Sequence, residues 1–197
     1  MGWFLRTVIG LATRPYETVR STVERENLAE LVYIAASLAV YFALASIVKV
    51  AAFRPFLLTR QFVVLTAATA ATYLCAVALF WVAGKLVGAT GKFQGFMLAW
   101  GYSLIPTVIW FLATSLLYVI LPPPRTTSPQ GVLFSILFLV FSATLFFWKV
   151  TIGYLALRFG LRLDLGKILI VALISLPALA LWSVGLYRLG IFRVPFI

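Results

Sequence analysis

The chain has 197 residues, 63% of them hydrophobic and 11% charged, against about 45–50% and about 25% in an ordinary soluble domain, so a water-soluble fold could not hide its apolar surface. It has no His, one Cys (Cys75) and one Asn (Asn27). His-dependent proton transfer, haem ligation, Cys-x-x-Cys redox chemistry and Cys/His zinc sites lack their residues, and no catalytic group, metal or cofactor is expected. The net charge of +11 comes from Lys and Arg standing singly at the ends of apolar runs, where they meet anionic lipid headgroups. No basic stripe with interleaved aromatics exists to bind nucleic acid.

Residues 1–30 read as an amphipathic segment. Trp3, Phe4, Val8 and Leu11 recur at helical spacing, and Tyr16, Val19 and Val23 form a second stripe opposite Glu17, Arg20, Glu24 and Arg25. Thr13 is the expected N-cap of the second helix, with Pro15 and Glu17 in its first turn, where a fixed φ and a negative charge suit a helix start. Such a segment lies along the inner leaflet or packs on the spans as a lid. Met1-Gly2 is not followed by the Ser or Thr of a myristoylation signal, because Arg6 stands there.

Residues 31–197 carry five runs near the roughly 20 apolar residues that a bilayer core of about 30 Å requires. They are Leu31 to Val48, Phe62 to Gly84, Phe96 to Leu121 (stopped by Pro122-Pro123-Pro124), Val132 to Leu157, and Ile168 to Tyr187. The expectation is an all-α polytopic bundle of five spans. The first run begins too late, after four acids, and lacks the cleavage site of a signal peptide. With the N-terminus inside, the inner segments hold nine Lys and Arg and the outer ones six, which favours an interior N-terminus and an exterior C-terminus.

Few residues within the runs can carry chemistry. Lys149 is the one charge well inside a run, and reads either as an anion or substrate-coupling site or as a lysine that snorkels to the inner interface. Pro106 and Pro177 are expected to kink the third and fifth spans, with Ser103, Thr107 and Ser175 answering the freed carbonyls. From Leu31 to Leu163 there is no carboxylate. The small-residue run Thr66 to Thr72, Gly84-x-x-x-Gly88 and Gly91-x-x-x-Gly95 allow helices to approach closely, within the bundle or in a homo-oligomer.

Taken in order, Pro15-x-Glu17-Thr18, Gly88-x-x-Gly91, Gly101-Tyr102-Ser103-Leu104-Ile105-Pro106, Phe147-Trp148 and the stretch from Gly160 to Lys167 resemble the pattern of the Yip-domain family of Ypt/Rab-interacting integral membrane proteins. The resemblance covers nearly the whole chain and is closest to prokaryotic members. It implies a five-span bundle with a cytosolic N-terminus. Eukaryotic relatives are linked to prenylated Rab GTPases and vesicle traffic. This chain lacks their long N-terminal region and their Asp-Leu-Tyr-Gly-Pro motif, so a Rab-type partner is not expected.

Two functions follow. One is a non-enzymatic scaffold or accessory subunit in the inner membrane, with anionic lipid, a partner membrane protein or a second copy as its contacts. The other is a small transporter, channel or lipid-moving protein built on the proline kinks. A polar cavity reaching Tyr102, Ser103 and Thr107 would favour transport, and a tightly packed bundle would favour the scaffold.

Overall fold

The computed structural model describes residues 2–49, 55–120 and 129–191. Helices α1 (Gly2–Thr13) and α2 (Pro15–Arg25) precede α3 (Ala29–Lys49) and α4 (Pro55–Leu86). Then come α5 (Phe93–Tyr102), α6 (Ile105–Ile120), α7 (Pro129–Leu155), a π-helical turn over Ala156–Gly160, and α8 (Leu165–Arg188). Five helical stretches are long and apolar enough to cross a membrane: α3, α4, α5 with α6, α7 with the π turn, and α8. The all-α five-span expectation holds. Pro122-Pro123-Pro124 and the basic residues Arg54, Arg125 and Arg193 lie outside the described residues.

α4 packs on α8 and α3, α6 packs on α3 and α7, and α5 is wedged between α2, the π turn and α7. The deepest side chains, Phe96, Leu98 and Tyr102 of α5 with Phe80, Ile152 and Leu161, gather where α5 meets its neighbours. Outer faces keep large apolar residues exposed, among them Leu137, Leu139 and Phe147 on α7 and Leu169 and Leu173 on α8. An exposed apolar face is stable when the solvent is lipid.

Three local expectations are corrected. Arg14, not Thr13, is the N-cap residue of α2; Thr13 Oγ1 donates to the Ile9 carbonyl at 3.0 Å and so completes the last turn of α1. Pro106 does not bend a continuous helix, because the third span is broken at Ser103–Leu104 and Pro106 is the second residue of α6, a position where its missing N–H breaks no helical bond. Pro177 stays inside the unbroken α8, and the nearby Ser175 hydroxyl is buried with no hydrogen-bond partner rather than answering a freed carbonyl.

Candidate functional site

The two N-terminal helices are joined tightly. A Cβ on Gly10 would fall 2.6 Å from Thr18 Oγ1, and Thr18 Oγ1 itself donates to the Arg14 carbonyl at 2.8 Å. Pro15 opens α2, and Glu17 in its first turn sits 3.8 Å from Arg14. The Pro15-x-Glu17-Thr18 sequence thus starts a helix and fixes its contact with the preceding one. The hairpin is fastened to the bundle at several points. Trp148 Nε1 donates to the Leu11 carbonyl at 2.9 Å, Tyr16 meets Phe159 edge-on, and Phe4 stacks on Tyr33 and Tyr102. Lys92 pairs at 3.0 Å with Glu26, a residue with φ of 50° that ends α2 in the left-handed region.

Beside this hairpin, three chain segments approach at glycine. A Cβ on Gly91 would lie 1.8 Å from the Gly160 carbonyl oxygen, and one on Gly160 would lie 2.7 Å from Phe96 Cα. Gly91 N donates to the Leu161 carbonyl at 3.2 Å. Gly88 is also required, because its φ of +85° turns the loop after α4. The π turn ends at Gly160, which stands at this crossing. The spacing of Gly88, Gly91 and Gly160 therefore reports contact between the second-third and fourth-fifth loops.

At the centre of the junction stands Glu30, whose side chain is 1% exposed. Tyr102 donates its phenol to Glu30 Oε2, and Arg25 Nη1 lies 3.6 Å from Oε1, an ion-pair distance too long for a hydrogen bond. Arg25 Nη2 also donates to Thr22 Oγ1 and Thr7 Oγ1 at 3.3 and 3.4 Å. Four elements, α1, α2, α3 and α5, thus share one polar cluster. A Cβ on Gly101 would fall 2.6 Å from Leu31 Cδ2 and 3.4 Å from the Tyr73 hydroxyl, so the start of α3 stands level with Tyr73, about 18 Å along α4 from Lys85 at 1.5 Å per residue. This corrects the reading that the spans contain no carboxylate: Glu30 belongs to the first turn of α3 and is fully buried.

One turn beyond, the broken third span is closed by local bonds. Ser103 N and Oγ donate to the Trp100 carbonyl at 3.0 and 2.7 Å, and Leu104 N donates to Gly101 O at 3.0 Å. Lys149 reaches across from α7 and donates to Thr107 Oγ1 at 2.7 Å. Thr107 accepts from this lysine in place of the expected role toward a freed carbonyl.

One described cavity borders the break from the other side. It is a cleft of about 170 Å³ between α3 and α4, floored by Gly101 and Leu104, and lined almost entirely by apolar groups. Tyr102, Ser103 and Thr107 are not among its lining residues.

Sequence reasoning named Pro15, Glu17, Thr18, Gly88, Gly91, Gly101, Tyr102, Ser103, Pro106, Trp148 and Lys149; most of them lie at the hairpin–bundle junction or the adjoining break, while Glu17 stays exposed on α2 and Gly88 on the loop after α4. Pro177 is apart, on the exposed side of α8. Glu30 and Arg25 were missed as a site. The available signal was an acid directly before an apolar run, with an Arg five residues upstream and a Tyr inside a later span.

Five apolar spans capped by a docked helical hairpin define a polytopic helical membrane protein. The family model of the Yip1 domain matches residues 9–187, and the chain belongs to the Yip1-domain family. Comparison with curated proteins and with solved structures gives no match.

Proposed function

We propose that this protein is a non-enzymatic membrane scaffold or accessory subunit, acting in membrane organisation or trafficking in a prokaryotic inner membrane. The observation that carries the proposal is the packing of the break. Tyr102 is spent on Glu30, Ser103 on Trp100 and Thr107 on Lys149, and the described cavity is apolar and does not include them. A transport path for a hydrated solute needs polar groups facing an opening. Here those groups face each other.

Under this reading α1 and α2 form the surface turned to the cytosol, with exposed Arg6, Arg14 and Arg20 toward anionic lipid or an acidic partner. Crosslinking and affinity isolation from native membranes should recover a defined membrane-protein partner or a second copy. Flux of an ion or lipid through reconstituted protein, with no partner recovered, would overturn the reading. The orientation has its own check: a cytoplasm-only fluorescent reporter should be bright at the N-terminus and dark after Ile197. Brightness at both ends would refute the exterior C-terminus.

A further inference from the structure

The loops that precede α5 and α8 run side by side, and two lysines from the adjoining helix ends meet at one turn. Lys85, in the last turn of α4, donates to the Ala89 carbonyl at 3.1 Å and holds its ammonium 4.4 Å from the centre of the Trp81 ring. Lys167, in the first turn of α8, holds its ammonium 3.8 Å from where a Cβ on Gly88 would stand. Both lysines are exposed, and neither has a carboxylate at ion-pair distance among the described residues. The carbonyl end of α4 favours a cation, a role that Lys85 fills; Lys167 sits at the amide end of its own helix, where a cation is disfavoured. Two ammoniums gathered at one turn repel each other unless an anion joins them. Space for that anion is open. Gly88 has no side chain, its φ of +85° turns the backbone, and a Cβ on Gly166 would meet nothing within 4 Å.

The surface below the lysines identifies the source of the anion. Lys85 lies at the end of the apolar span Thr59–Leu86, and Lys167 at the start of Leu165–Arg188. Both therefore stand where headgroups meet hydrocarbon. One and two turns from its lysine, each helix continues the same face with exposed apolar residues: Val82 and Ala78 on α4, Ile170 and Ile174 on α8. The two helices pack on each other, so a pair of cations stands above an apolar track. Inorganic phosphate or an acidic peptide would meet the cations and leave the track uncovered. A phospholipid covers both.

We propose that this face of α4 and α8 binds one anionic phospholipid, with Lys85 and Lys167 holding its phosphate and its acyl chains lying along the two helices. The hairpin packs on α5, α7 and the π turn, so the site is separate from the hairpin surface discussed above, and it requires no transport.

The test titrates full-length protein in detergent with phosphatidylglycerol or with phosphatidylcholine of the same acyl chains, whose choline cation the lysine pair repels. Retained lipid is counted by native mass spectrometry. The expected result is one phosphatidylglycerol per chain, held at least about tenfold more tightly than phosphatidylcholine. Lys85→Gln/Lys167→Gln together should remove that preference. Lys167→Gln alone, which breaks no hydrogen bond or ion pair of the structure, should weaken it by about threefold or more at unchanged melting temperature. Lys85→Arg/Lys167→Arg keeps both charges and should retain it. Arg6→Gln/Arg14→Gln on the hairpin removes the same charge elsewhere and should leave it intact. Glycerophosphoglycerol, the same headgroup without acyl chains, should not compete at equal concentration. Equal retention of the two lipids, a preference that depends on the hairpin pair and not on the lysine pair, or competition by the chainless headgroup would each overturn the proposal.

Discussion

The third and fourth spans are both apolar enough to cross a membrane but have opposite surroundings. In the most apolar stretch of the third, 61% of residues are buried in the bundle, whereas in the corresponding stretch of the fourth none are. The third is broken, short in its first half and crowded by neighbouring backbone; α7 is continuous and meets α6, α2 and α5 along one side, leaving its outer face exposed. Apolarity therefore says that a segment leaves water. It does not say whether protein or lipid replaces the water, and that distinction is made by small residues and by single polar groups.

The sharpest test of crowding against exposure adds one methyl group at a glycine just before the third span and one at an open glycine of the fifth. Gly91→Ala would place Cβ 1.8 Å from the Gly160 carbonyl in a contact between two backbones that has no flexible atom to yield. The expected loss is at least about 3 kcal/mol, beyond ordinary overpacking, seen as a collapse of the melting temperature in detergent. Gly185→Ala in α8, where no atom lies within 4 Å of the new methyl, should instead stabilise by about 0.5–1 kcal/mol through helix propensity. Equal effects at the two positions would show that the Gly91–Gly160 crossing does not form.

A smaller effect is expected at the polar cluster. Tyr102→Phe removes the only hydrogen bond among the described residues to a fully buried carboxylate and leaves Glu30 with the longer Arg25 contact. The cost should be about 1–3 kcal/mol. Because Glu30 joins the hairpin to the bundle, hydrogen exchange should rise in α1 and α2 more than in α8. Protection lost evenly through the chain would mean that the cluster supports general stability and not hairpin docking.

These elements also show where sequence reasoning stops. The five spans were legible because length and apolarity are local properties, and α2 was legible from Pro15 and Glu17 for the same reason. Glu30 was not, because an acid at the edge of an apolar run reads as a flanking charge; its burial depends on the chain folding back so that Arg25 and Tyr102 meet it. Gly91 and Gly160 were visible as parts of separate motifs, but their contact joins positions far apart in the chain. The break at Ser103–Leu104 was read as a kink, since a proline marks disruption without saying whether the helix bends around it or restarts on it.

The two prolines provide the mildest and most specific comparison. Pro177 lies in the interior of α8 with its side chain exposed, where proline removes a helical bond and crowds the preceding turn. Pro177→Ala should raise the melting temperature. Pro106 occupies the first turn of α6, where its amide would have no partner in that helix, and the break before it is already held by the bonds of Ser103 and Leu104 to Trp100 and Gly101. Pro106→Ala should therefore change stability by less than about 1 kcal/mol and leave the break in place, as distance measurements between spin labels on α5 and α6 would register. In liposomes assayed for ion leak and lipid scrambling, wild type and Pro106→Ala should be equally inactive. A flux in the wild type that Pro106→Ala abolishes without unfolding would show that the break is a working hinge, because a purely structural break at that point has no conductance to lose.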